Sequence, residues 1–232
     1  MSLKGPSIIR ATWALFKKDL QLELRTWDTI SSSLIFSLVV LLVYQFTLGV
    51  ETIREIGAHR VVPGVLWLAI GFASVVGITR SMEVERQGET LTGLFRSPAS
   101  RATLFLGKFL ANGVKLLILE VCLVALTVLF FNLPLSAITP RLALILLLGT
   151  VGLCELGTLF GAIVLRVGRG EALLATLLLP TATPLLLASI HATAEQFKPT
   201  ASGDSNWLVL LFGFDLLYFF IALATFEFAL EE

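Results

Sequence analysis

From residue 31 onward the chain repeats one pattern: a long, nearly uninterrupted apolar run, then a short polar interval. The runs fall at roughly 31–50, 62–80, 103–131, 141–165, 172–193 and 207–227. At 1.5 Å per helical residue, about 20 residues cross the hydrocarbon core of a bilayer. The ten-residue alternation of a transmembrane barrel is absent. The pattern therefore predicts an all-α membrane protein with six spanning helices, because a helix satisfies its own backbone hydrogen bonds in lipid.

Residues 7–28 have a different period. Ile9, Trp13, Phe16, Leu20, Leu24 and Trp27 fall within an arc of about 80° on a helix, with Arg10, Lys17, Lys18, Gln21 and Arg25 to one side. This is the signature of a helix lying in the membrane interface, tryptophans at headgroup level and basic residues outward. Two regions result: an interfacial amphipathic helix in 1–30 and a six-helix transmembrane domain in 31–232, in contact with the lipid bilayer. The N-terminus lacks the order of a cleavable signal and is expected to be retained.

Composition agrees: 56% of the 232 residues are hydrophobic and 15% charged, which lies outside the soluble range. Lys and Arg balance Asp and Glu at 17 each, so no bulk attraction to nucleic acid is implied. Their placement is uneven. Twelve Lys or Arg lie in the N-terminal segment, the 80–108 connection and the 166–169 connection, against Arg54, Arg60, Arg141 and Lys198 on the other side. The positive-inside rule places both termini in the cytoplasm.

The connection "RSMEVERQGETLTGLFRSPASR", residues 80–101, carries seven charged side chains. Within it Glu89–Phe95 can form a turn or two of helix presenting Leu91, Leu94 and Phe95, bounded by Gly88 and Pro98. Two readings are open for this 81–102 loop: a solvated connection, or a docking element for a cytoplasmic partner.

Enzyme motifs are missing. Two histidines cannot form an HExxH zinc site, and no GxSxG elbow occurs. Gly107-Lys108 is the nearest approach to a phosphate loop, but Phe109 follows the Lys and Ala102 stands where the first Gly belongs. Within the spans, Glu120, Glu155 and Asp215 would each cost about 2.5 to 3.5 kcal/mol if charged at the centre of a lone helix, so they are expected to face the protein interior. Each is open to a structural or a substrate-path role. Lys115 is expected to pair with one of them or to extend to the interface beside Lys108.

Gly157 and Gly161 form a GxxxG that suits intrachain packing or a homodimer seam. Pro180 and Pro184 are expected to kink the fifth span. Cys122 and Cys154 read as buried packing thiols. His59 and His191 both fall on the side opposite the basic connections and are open to a ligand role or an ordinary interfacial one.

The stretch "MEVERQGETLTGLFRSPASRATLFLGK", residues 82–108, resembles the loop of ABC-2-type transporter permeases: acidic residues, Gly, a small amphipathic helix, Pro, and a following Gly-Lys. Four further stretches resemble the haem exporter protein B (CcmB) permease subunits of cytochrome c maturation: "VVPGVLWLAIGF" at 61–72, "FLGKFLANGVKLLILE" at 105–120, "LLLGTVGLCELGTLFGAI" at 146–163 and "RGEALLATLLLPTATPLLLAS" at 169–189. The likeness extends over about residues 10–227.

The resemblance implies a subunit that is not itself an enzyme. It associates with a separate cytoplasmic ABC ATPase, a haem-handling membrane subunit and a haem chaperone. Glu83, Glu85, Gly88, Glu89, Leu91, Leu94, Phe95, Arg96 and Pro98 then become the ATPase-coupling element, with Leu94 and Phe95 as anchors, and Glu120 matches the family pattern. Haem enters as a transported or partner-bound ligand, with no firmly bound cofactor. The chain either forms a translocation path or acts as a mechanical transducer that releases a haem-loaded chaperone. The spans lack a His-rich, aromatic lining, which favours the transducer. An ABC-2 permease for a lipid or polysaccharide is the alternative.

Overall fold

The computed structural model describes residues 8–87, 101–167, 171–198 and 206–229. In chain order the elements are α1 (Ile8–Thr26), α2 (Asp28–Ile56), α3 (Ala58–Gln87), α4 (Arg101–Phe130), a 3-10 turn (Leu135–Ala137), α5 (Pro140–Val167), α6 (Glu171–Gln196) and α7 (Asn206–Ala229). Among the described residues there is no strand. The six helices from α2 to α7 are each long and apolar enough to cross a membrane. This is the all-α membrane architecture expected from the run lengths, with span boundaries within a few residues.

Glycine and small residues decide which helices take the centre. α3 and α5 are the most buried of the six spanning helices and α7 the least. Every residue of α5 from Gly152 to Leu159 is buried. Its glycines admit the neighbouring helices: a Cβ at Gly149 would meet the ring of Trp67, one at Gly157 the Ile78 side chain, and one at Gly161 Met82. The GxxxG of Gly157 and Gly161 is thus filled by α3 of the same chain, the intrachain alternative. A single apolar cluster containing Leu41, Trp67, Ile70, Leu119, Leu123, Leu153 and Leu185 joins α2 to α6. Outward, α7 shows Val209, Phe212, Leu216 and Phe220, an apolar exterior suited to lipid.

Two details depart from the run-length reading. Residues 51–61, expected as a connection, are almost wholly helical: α2 continues to Ile56 and only Gly57 separates it from α3. Gly49, at φ 70° and ψ 156°, breaks α2 and redirects its last turns, a conformation open to a residue without Cβ. Pro180 and Pro184 both lie inside a single helix, α6. There the hydroxyls of Thr181 and Thr183 donate to Leu177 O and Leu179 O, and Tyr218 of α7 donates to Thr181 O at 3.0 Å.

The thiols differ from expectation too. Cys154 is buried, but Cys122 is exposed on the outer face of α4. An apolar exterior makes a cysteine within a hydrophobic run as compatible with the lipid face as with the core.

Candidate functional site

The charged groups gather at the end of the bundle where α1 joins α2, where α3 ends and where α4 begins. α1 contributes through its acidic flank. Asp19 and Glu23 are one turn apart and buried, while Ile9, Trp13, Leu24 and Trp27 are exposed. Asp19 Oδ2 lies 3.1 Å from Lys108 Nζ on α4, and Asp19 Oδ1 lies 3.0 Å from Lys18 Nζ. Burial pushes the Asp19 carboxyl up, but these two ammoniums pull it down by more, and it stays below the ordinary carboxylate value. Gly107 makes the pairing possible: a Cβ there would stand 2.8 Å from Leu15 Cβ, so α1 lies directly on α4.

Glu23 performs a second task. Its Oε1 accepts from Thr29 N and Ile30 N, both at 3.0 Å. The residue at the N-cap of α2, Trp27, sits in the left-handed region at φ 58° and offers no side-chain cap. A carboxylate from the preceding helix therefore caps α2, supplying a negative charge where the helix dipole favours one.

Lys115 does not pair with a carboxyl of the spans. It is buried, 7% exposed, and its Nζ donates to Ser81 Oγ of α3 at 3.0 Å. It sits two turns beyond Lys108 on α4. Beside it a cavity of about 20 Å³ is lined by residues including Thr29 and Ser33 of α2, Ser74 and Gly77 of α3, Asn112 of α4 and Cys154 of α5.

The three acids within the spans are interior, as expected: Glu120 and Glu155 are 2% exposed and Asp215 is 6% exposed. Glu120 Oε1 accepts a short hydrogen bond from Thr150 Oγ1 across α4 and α5. Asp215 of α7 reaches α5 at Gly152, where a Cβ would stand 2.8 Å from Asp215 Oδ1. Glu120 Oε2, Glu155 Oε2 and both Asp215 oxygens have no hydrogen-bond partner among the described residues.

At the opposite end, His191 is exposed and stacks on Trp207, ring centroids 4.6 Å apart and planes at 14°. Trp207 Nε1 in turn donates to Glu195 Oε1 at 3.1 Å. His59 is half-buried against Gly57. Among the described residues no group of three or more His, Cys, Asp or Glu could hold a metal ion.

Of the loop residues singled out from sequence, Glu83 is half-buried near the end of α3 and Glu85 falls in its last turns. The side chain of Glu85, and all of Gly88, Glu89, Leu91, Leu94, Phe95, Arg96 and Pro98, lie outside the described residues. Asp19 and Glu23 were not singled out. Their signal is present: on the helical wheel they sit about 20° to 60° beyond the edge of the apolar arc, on the side opposite Arg10, Lys17 and Arg25.

Helices of this length and exterior, bundled around a glycine-packed centre, define a multi-pass α-helical membrane protein. The chain belongs to the family described as CcmB protein, whose model matches residues 10–231. It is 28% identical over 198 residues to heme exporter protein B of Pseudomonas aeruginosa, covering 85% of this chain and 87% of that one. It is 28% identical over 220 residues to heme exporter protein B of Paracoccus denitrificans, covering 92% and 94%. With heme exporter protein B of Rhodobacter capsulatus the identity is 30% over 174 residues, 75% and 78% of the two chains.

Proposed function

We propose that this chain is the membrane subunit of an ATP-driven complex that handles haem for cytochrome c maturation, with ATP hydrolysed on a separate subunit. The observation that carries this reading is the family match over residues 10–231, with relatives named heme exporter protein B. In this reading the end bearing α1 is cytoplasmic, α1 lies in the interface of the inner membrane, and residues 88–98 dock on the ATPase through Leu94 and Phe95. The haem-handling membrane subunit and the haem chaperone are partners within the same membrane.

Packing favours a transducer over a conduit. The α2-to-α6 interior is a buried apolar cluster, and the cavity beside Lys115, about 20 Å³, has room for a single water molecule. A tetrapyrrole passing through this subunit would have to displace that core, whereas an interface with a neighbouring subunit would leave it intact. The buried acids Glu120, Glu155 and Asp215 then act within the bundle, Glu120 through its hydrogen bond from Thr150 between α4 and α5.

Deleting the chain in its own host and staining for covalently bound haem tests the reading. Loss of c-type cytochromes, with b-type cytochromes unchanged and restoration by the wild-type chain, is the expected result. Normal c-type cytochromes together with a defect in an exported lipid or polysaccharide would overturn it in favour of an ordinary ABC-2 permease.

A further inference from the structure

α1 buries its acids and exposes Ile8, Ile9, Trp13, Leu22 and Leu24, and each acid contacts a different spanning helix. Asp19 holds Lys108 on α4 at 3.1 Å; Glu23, one turn on, holds the amides of Thr29 and Ile30 in the first turn of α2 at 3.0 Å. Gly107, beside Lys108, brings α4 against Leu15 so closely that a Cβ would stand 2.8 Å from the Leu15 Cβ. Beside this contact a cavity of about 20 Å³, the size of one water molecule, is lined by Thr29, Ile30 and Ser33 of α2 and by Asn112, Lys115 and Leu116 of α4. The polar members of that lining leave the start of α2 and α4 less than fully apolar in their contact.

We infer that α1 is a strap that ties the start of α4 to the start of α2, with Asp19 and Glu23 as its two fasteners and Gly107-Lys108 as its seat. The Gly-Lys pair that follows the charged connection is thus a docking point for α1 rather than a fragment of a phosphate loop. Charge-assisted contacts suit this task because they are short, directional and sheltered from solvent here, with Asp19 and Glu23 only 8% and 5% exposed. The left-handed Trp27 gives the strap a fixed turn into α2 rather than a slack linker, held by Trp27 N to Glu23 O at 2.7 Å and Ser31 N to Trp27 O at 2.9 Å. α4 starts at Arg101, straight after residues 88–100, so a displacement of its first turns carries α1 and the start of α2 with it. That consequence for ATP-driven motion rests on the docking proposed above; the strap itself is a property of this chain alone.

The test follows the fastening at a distance. Hydrogen–deuterium exchange at single-amide resolution is measured on the full chain in lipid nanodiscs, without nucleotide or partners, for wild type and for Lys108→Met, Lys108→Arg, Asp19→Asn and Lys17→Met. Lys108→Met and Asp19→Asn should speed exchange at Thr29 and Ile30 about five- to tenfold, the loss expected when a helix cap is weakened, although neither change touches α2. Lys108→Arg, which keeps the cation, and Lys17→Met, on the exposed flank, should leave both amides at the wild-type rate. If Lys108→Met and Asp19→Asn speed exchange within α1 but leave Thr29 and Ile30 unchanged, α1 is docked on α4 without transmitting to α2 and the inference fails. Should Lys108→Met not insert, the contrast between Asp19→Asn and Lys108→Arg decides the matter by the same two amides. An ATPase that never docks would leave these rates as they are, so failure of the strap and failure of the proposed function are separable.

Discussion

The indole of Trp67 meets Gly149 at the outer edge of its six-membered ring: a Cβ at residue 149 would collide with Trp67 Cη2 and Cζ3. The ring is pinned there, because Trp67 Nε1 donates to Thr193 Oγ1 on α6 at 2.9 Å. One side chain of α3 thus registers α5 and α6 together at the centre of the bundle.

Gly149→Ala is accordingly expected to be the most damaging of the α5 glycine changes. The indole is rigid and hydrogen-bonded, and overpacking of this kind costs about 1 to 3 kcal/mol. At Gly157 the nearest atom is Ile78 Cδ1, the end of a side chain that can change rotamer. Thermal unfolding of the detergent-solubilised variants should show a clearly lower Tm for Gly149→Ala and a smaller drop for Gly157→Ala; the reverse order contradicts the packing described.

Glu120→Gln should be tolerated better than Glu120→Leu. An amide oxygen still accepts from Thr150 Oγ1, whereas Leu leaves that buried hydroxyl without its partner at a cost of about 1 to 3 kcal/mol. Membrane accumulation and c-type cytochrome level, measured side by side, check this. Full accumulation with lost activity in the Gln variant alone would assign Glu120 a charge-dependent role instead.

Asp19 gives the α1 end an acid limit. Its carboxyl is depressed in the folded chain by Lys108 and Lys18, so it favours the folded state above its ordinary value of 3.8 and loses that contribution as pH falls through the lower folded value. Wild type should lose stability as pH falls below about 4, while Asp19→Asn, already without the charge, should show a shallower loss over the same window. Between pH 6 and 8 the two curves should run parallel. Identical acid slopes would remove Asp19 from the account.

Much of this was legible in the sequence for one reason: a bilayer demands length and apolarity, and both are readable residue by residue. The same logic placed Glu120, Glu155 and Asp215 inside, since an acid in a span has few other places to go. The fastening of α1 was harder to see. Its apolar arc dominates the wheel, and Asp19 and Glu23 read as solvent-facing until Lys108, distant in sequence, is brought to them. The partner of Lys115 was hidden for a related reason: its hydrogen bond to Ser81 depends on how α3 crosses α4, a tertiary relation that leaves no periodic mark. The break at Gly49 likewise depends on a backbone angle that composition does not specify.

The charge asymmetry gives a topology that labelling can check. A cysteine introduced at Thr90 should resist a membrane-impermeant thiol reagent applied to intact cells, while one at Ser202 should react. Comparable modification of both from outside would invert or break the six-span topology proposed.

The central claim, that ATP-driven motion reaches this subunit through the charged connection, is tested most directly by ATPase retention. The tagged chain is purified in mild detergent as wild type and as the Leu94→Ala/Phe95→Ala double variant, and the ATPase that accompanies each is quantified. Truncating two apolar anchors should forfeit several kcal/mol of docking, about 3 to 5, while leaving the spans untouched. The account predicts normal membrane accumulation of the double variant, loss of the ATPase on purification, and loss of c-type cytochromes. Wild-type retention of the ATPase by the double variant would contradict it and return residues 88–98 to a solvated connection.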